Sequence, residues 1–401
     1  MNSGATQTSE DLRDGGRALW YDKVGLLVAP IAVAAMFLPF MSFAANRIVE
    51  AESRSILASL PQTYAVMLLA ALGVAALLLL VRTSTKLRAV SAGAAIALLL
   101  VAAGLAADHL SADANTYARV RPASGFWLLL FAFSLGLTDA ITRLRLRPTT
   151  RIALATAALG ALLLLVSSGL WSNISFLKEY ENQAQLFWRE ARQHITLSVG
   201  SMLAACIVGI PLGITCQNQR GTRSAILNTL TFVQTVPSLA LFGLLIAPLS
   251  WLASNVPVVS ALGIRGIGTA PALVALFAYS LLPITGNTLA GLEGVSTSAR
   301  EAARGMGMTR HQRLLRIELP LALPAILAGI RIVLVQNIGL TTIAALIGGG
   351  GFGVFVFQGL GQASIDLVLL GVIPTIILAF ASAVLMDAFI DMSRKERREH
   401  R

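Results

Sequence analysis

The sequence predicts an all-α polytopic membrane protein, and three observations carry that prediction. Hydrophobic residues make up 56% of the chain and charged residues only 13%, whereas soluble domains are about 25% charged. Mean hydropathy is +0.74. The apolar residues fall in runs of about 20, the length a helix needs to cross a hydrocarbon core roughly 30 Å thick. The net charge of +11 gathers at the ends of these runs. It therefore reads as membrane topology, and no nucleic-acid partner is expected.

In chain order, the uncharged runs place about ten transmembrane helices. They lie near 24–44, 64–81, 89–107, 124–141, 152–170, 195–216, 224–248, 270–291, 321–347 and 367–390. The first run is too long for a signal-peptide core and follows Asp11, Asp14 and Asp22, so it reads as an uncleaved anchor. With the N-terminus inside, 22 of the 31 Lys and Arg residues fall in cytoplasmic segments and 8 fall outside; Arg331 alone lies within a span. That asymmetry fixes the orientation. Both termini and the segment 293–320 are cytoplasmic, and the connector 171–193 is external.

The chain divides near residue 190, giving an N-terminal five-span region (1–190) and a C-terminal core (191–401). Spans one to five are Ala/Leu-rich, and no motif assigns them a role. The connector at 171–194 is amphipathic, with Trp171, Tyr180, Phe187 and Trp188 suited to the outer interface. Spans six to ten instead carry Pro211, Pro237, Pro283, Pro324 and Pro374, together with Gln234, Asn287, Gln336 and Asn337. Broken helices and polar groups at membrane depth must be satisfied by protein or a cavity. Function is therefore expected in the second half. Cys206 and Cys216 share one span and read as small packing residues.

The stretch "EAARGMGMTRHQRLLRIELP" (301–320) interrupts the apolar pattern. Ser298 with Glu301 predicts a capping box, and Gly305 and Gly307 end the short helix it opens. Thr309 with Gln312 predicts a second capping box, whose helix runs to about Glu318 before Pro320 starts the next span. Arg304, Arg310 and Arg313 read as ordinary inner-face charges.

The spacing of Glu301-Ala302-Ala303, Gly307, Ile317 and Leu319-Pro320 resembles the EAA loop of binding-protein-dependent ABC importer permeases. The stretches "QTVPSLALFGLLIAPL" (234–249), "LLPITGNTLAGL" (281–292) and "IAALIGGGGFG" (343–353) look like the branch that imports glycine betaine, choline and related osmoprotectants. The resemblance implies a multi-pass subunit of the cell inner membrane whose cytoplasmic elbow (Glu301, Ala302, Ala303, Gly307, Ile317, Leu319 and Pro320) docks on a separate ABC ATPase. It further implies a second permease subunit, identical or related, an extracytoplasmic binding protein, and a small zwitterionic or quaternary ammonium solute. This chain has no phosphate-binding loop G-x-x-x-x-G-K-[ST]. It is expected to be no enzyme and to bind no cofactor, with ATP-Mg held by the partner.

For the translocation pathway, the candidates are Gln234, Asn287, Gln336 and Asn337. Aromatic faces at Tyr279 and Phe352 could attract a quaternary ammonium. "GGGGFG" (348–353) formally matches a dinucleotide fingerprint but follows an apolar helix, so it reads as a flexible turn or packing point. "GIPLG" (209–213) has the spacing of a close helix contact. His109, His194, His311 and His400 are dispersed, which gives no metal constellation. The alternatives are an ABC permease for another small solute such as an amino acid, or an ion-coupled secondary transporter. The latter would place carboxylates at midplane. Asp366 and Asp387 instead lie near opposite ends of the last span, and Arg331 lies on the cytoplasmic third of span nine, where it can snorkel or pair.

Overall fold

The computed structural model describes residues 21–46, 49–112, 117–261 and 263–399, without the side chains of residues 220 and 394–399. Asp11, Arg13, Asp14, Arg17, Arg47, His400 and Arg401 lie outside the described residues. Two compact units emerge. One comprises 1–146 and 162–175, the other 147–161 and 176–401. The division at 175/176 precedes the expected one at 190, because the connector from Phe176 onward packs with the second unit: Phe187 lies on Phe352 and Phe355 at centroid distances of 5.3 and 6.1 Å.

The first unit contains α1 (Lys23–Met36), β1 (Met41–Ala44), β2 (Glu52–Arg54), α2 (Ile56–Ser59), α3 (Gln62–Leu80), α4 (Thr85–Ser111), β3 (Arg119–Pro122) and α5 (Ser124–Leu144). The expected first span is thereby corrected. Its helix is 14 residues long, about 21 Å at 1.5 Å per residue and too short to cross unaided. Pro39 disfavours helix at Leu38, and the following residues pair instead as the central strand of an antiparallel sheet ordered β2-β1-β3. Hydropathy alone carries no signal for this small sheet. It joins two segments expected on the same side of the membrane, and Ser175 Oγ donates to Val120 O at 2.8 Å to bring in a third.

At the opposite end of α1, Asp22 caps the helix by accepting from Val24 N and Gly25 N at 2.9 and 3.1 Å. The same carboxylate receives Arg88 Nη1 at 2.7 Å and is also bonded by Arg143. Asp139 completes the group, 2.9 Å from Arg143 Nε and 3.4 Å from Arg88 Nη2. Charges that read as topology signals therefore bind α1, α4 and α5 together. Burial would raise the Asp22 pKa, but hydrogen bonds from Arg88 and Arg143 outweigh it and hold the carboxyl well below the usual range.

Helix α6 (Pro148–Ser167) contributes residues to both units, and α7 (Ser175–Asn182) follows it. The second unit then runs through α8 (Ala184–Asn218), α9 (Arg220–Thr235), α10 (Ser238–Asn255), α11 (Pro257–Ala261), α12 (Thr269–Glu293), α13 (Thr297–Gly305), α14 (Arg310–Arg313), α15 (Leu319–Ala344), α16 (Gly353–Gly361) and α17 (Ile365–Glu399). The expected seventh span is two helices, broken where Val236 turns extended before Pro237. Among the described residues, nine helices are long and apolar enough to cross a membrane.

Helices α8, α12 and α15 form the centre of this unit. The "GIPLG" spacing lets α8 and α12 approach closely: a Cβ on Gly209 would meet Ile284 at 2.9 Å, and one on Gly213 would meet Thr288 at 2.6 Å. Met202, Ala205, Ile284 and Val333 bury their side chains beside this contact. Arg331 pairs with Asp387 at 2.8 Å across α15 and α17, which satisfies both charges.

Candidate functional site

The elbow at 295–320 is built by local chain chemistry. Burial of Val295 sets the entry of α13, and the cap falls on Ser296, whose hydroxyl accepts from Ala299 N at 3.3 Å. The expected Ser298–Glu301 capping box is not formed; Ser298 lies inside the first turn and bonds Ser296 Oγ. At the other end, Met308 N bonds Ala303 O and Gly307 N bonds Arg304 O, at 3.1 and 2.9 Å. This is the paired closure that requires a left-handed residue, and Gly307 supplies it at φ +77°. Thr309 and Gln312 form both halves of the second capping box.

The chain does not break before Pro320. Residues Leu314–Glu318 form a π-helical turn, in which Leu319 N reaches Leu314 O, and the helix continues into α15. The proline removes one donor from the ladder, and a wide turn lets the helix pass it without ending. Glu301, Ala302, Gly307 and Pro320 are exposed, Ile317 and Leu319 half-buried, and Ala303 buried. Glu318, to which the sequence assigned no role, is 5% exposed. Its Oε1 accepts from Arg313 Nε at 2.7 Å and lies 3.6 Å from Arg300 Nε. Arg313 is therefore a buried-pair partner rather than a free inner-face charge.

The polar residues of the helices serve packing first. Pro283 leaves the carbonyl of Tyr279 without its helical donor. Gln234 Nε2 supplies one at 2.8 Å, while the Tyr279 hydroxyl donates to Val236 O at the break between α9 and α10. Asn287 bonds the carbonyl of Pro283 at 2.8 Å. Asn337 is fully buried and donates to Ser201 Oγ and Ser280 Oγ at 2.8 and 2.9 Å, tying α15 to α8 and α12. Gln336 is half-buried on α15. The rings of Tyr279 and Phe352 are buried, so neither presents an open face in this chain. Replacing Gln234 with Leu should leave the Tyr279 carbonyl unpaired and destabilise the second unit by about 1–3 kcal/mol. A lowered midpoint in denaturant titration of the detergent-purified chain would register this loss. An unchanged midpoint would mean that another group satisfies the carbonyl.

Comparison with known proteins identifies the family. Residues 209–399 match the family described as binding-protein-dependent transport system inner membrane component. The osmoprotectant import permease protein OsmW of Salmonella typhimurium is 41% identical over 187 residues, covering 47% of this chain and 82% of that protein. The chain is a binding-protein-dependent ABC importer permease. The choline transport system permease protein OpuBB of Bacillus subtilis is 37% identical and covered to 79% of its length. The glycine betaine/carnitine/choline permease protein OpuCB of the same organism is 36% identical and covered to 83%. Residues 22–177 of the permease match a second family, the N-terminal domain of ABC transporter permease YehY. Among solved structures, inward-facing MetNI methionine ABC transporter aligns with 52% of this chain and 98% of that chain, at 23% identity and a TM-score of 0.42.

In this permease the run Gly348–Gly351 is a fastened turn rather than a flexible one. Gly348, Gly350 and Gly351 take positive φ, and one face of α8 holds them. Glu190 Oε2 accepts from Gly351 N at 2.8 Å, Gln193 Nε2 donates to Gly349 O at 3.0 Å, and His194 Nδ1 accepts from Phe352 N at 3.2 Å. The spacing of residues 190, 193 and 194 is the one-face signature of a helix. Only the fold reveals that this face meets a glycine turn more than 150 residues away.

Proposed function

We propose that the permease imports small zwitterionic or quaternary ammonium osmoprotectants, glycine betaine or choline, across the cell inner membrane. Hydrolysis of ATP-Mg takes place on a separate ABC ATPase docked at α13. An extracytoplasmic binding protein delivers the solute, and both termini of the permease face the cytoplasm. The carrying observation is the likeness, over about four-fifths of their length, to permeases named for osmoprotectant and choline transport. Exposure of Glu301, Ala302 and Gly307 on the elbow supports the docking role.

A second permease subunit is supported by the bareness of α9 and α10. Helix α10 buries only Phe242 among the described residues. Helix α9 exposes Asn228, Thr231 and Thr235. Polar groups at membrane depth need protein or a water-filled path beside them. These three residues join the half-buried Gln234, Asn287 and Gln336 as candidates for the pathway.

The test is uptake in cells expressing the permease with its ATPase and binding protein. Radiolabelled glycine betaine and choline should accumulate, and methionine and phosphate should not. Accumulation of methionine alone would move the permease to the amino-acid alternative. Uptake by the purified chain alone in proteoliposomes, driven by a proton or sodium gradient, would replace the ABC mechanism with ion coupling.

A further inference from the structure

Helix α13 has little to hold it. Of its nine residues only Ala303 is buried, so hydrophobic packing alone fixes it weakly. Its second anchor is Arg300, whose guanidinium donates to Leu292 O in the last turn of α12 and pairs with Glu318 at the foot of α15. The same Glu318 oxygen accepts from Arg313 at the end of α14. One buried carboxylate oxygen thus gathers cations from both short helices and sets them against the ends of two long ones.

The π turn makes this possible. Residues 313 and 318 are five apart, which in a regular α-helix separates side chains by about 140° around the axis. Widening the turn at Leu314–Glu318 draws them onto one side. The turn is thus placed where the clasp needs it, as π turns inside helices frequently are at functional positions.

We infer that Glu318 is a positioning residue for energy coupling: through Arg300 and Arg313 it makes the elbow move with α12 and α15 as one body. This deepens the proposed docking role and rests on it. A load applied to the exposed face of α13 reaches the membrane helices through Arg300, held both to Leu292 O and by the Glu318 clasp, besides the buried methyl of Ala303. Loosening the clasp lets the elbow stay docked while its motion is lost before it reaches the spans.

The experiment compares wild type, Glu318→Gln and Arg300→Gln, each purified with the ATPase and binding protein and reconstituted in proteoliposomes. ATPase co-purification, ATP hydrolysis and glycine betaine uptake are measured on the same samples. Glu318→Gln keeps the side-chain shape and should retain ATPase association, while solute moved per ATP falls roughly ten-fold, within the range of about 5- to 150-fold typical of coupling between sites. Arg300→Gln leaves the Arg313–Glu318 bond in place, so the foot of α15 is preserved, and it should show the same loss of coupling ratio.

An unchanged solute-to-ATP ratio in Arg300→Gln would overturn the inference. So would a loss of assembly and uptake in parallel in both single variants, since that is the pattern of a purely structural ion pair. Failure of wild type to associate with an ATPase would instead remove the docking role beneath it, and the two failures are therefore distinguishable.

Discussion

Gly307→Asp should abolish ATPase co-purification and solute uptake together while leaving the chain inserted in the membrane. The structure separates the two consequences of this change. A Cβ at Gly307 meets nothing within 4 Å inside the chain. The left-handed backbone costs a non-glycine residue about 1–2 kcal/mol, and aspartate is among the residues that visit this region. The elbow closure therefore survives with modest strain. A docked partner, by contrast, must bury the new carboxylate unpaired, at about 3–5 kcal/mol. At 1.4 kcal/mol per factor of ten, association weakens by about 100-fold or more. Gly307→Ala carries the backbone strain without the charge and should fall between the two, and Glu301→Ala should give a milder loss. Pull-down of the ATPase in detergent, read beside uptake in cells, is the measurement. Normal association and uptake in Gly307→Asp would return 301–320 to a solvated, positive loop.

Asp22→Asn should destabilise the first unit by about 3–5 kcal/mol, the usual cost of removing one partner from a buried ion pair. Arg88 is 2% exposed and would lose its closest counter-ion. The helix cap would weaken at the same time, because Val24 and Gly25 would donate to an amide oxygen instead of a carboxylate. Asp139→Asn should cost less, since its contact with Arg88 is longer, at 3.4 Å. Thermal unfolding of the purified chain in detergent reads both changes. The pH dependence has a definite sign. The folded pKa of Asp22 lies below the unfolded value of about 3.9. Its stabilisation is fully present above that value and is lost as pH falls through the folded pKa. Wild type should therefore show no contribution from this group to any change in melting between pH 8 and pH 5. Equal melting of wild type and Asp22→Asn at neutral pH would show that the network does not form.

Legibility followed the range of the forces involved. The Thr309–Gln312 capping box, the glycine closure of α13 and the close contact at Gly209 and Gly213 are local patterns, with every participant or its spacing written within a few residues. The misplaced cap at Ser298 shows the limit of that logic. Ser296 and Ser298 are equally good caps as residues, and burial of the adjacent Val295 chose between them. The first span failed for a related reason. Met41–Ala44 is as apolar as the helix before it, and it became a strand because residues 52–54 and 119–122 offered it hydrogen bonds.

What the sequence alone determined is the membrane class, the approximate spans and the glycine turn of the elbow. Hydropathy, charge placement and turn chemistry act on the chain one segment at a time, and they can be read that way. Tertiary structure decided which polar groups meet. Gln234 reaches the carbonyl freed by Pro283, Glu190 grips Gly351, and Asp22 finds Arg88 and Arg143 across 66 and 121 residues. The physical reason is that a polar group buried among apolar helices must find a partner wherever the packing brings one. The sequence states the need, and only the packed helices specify the donor.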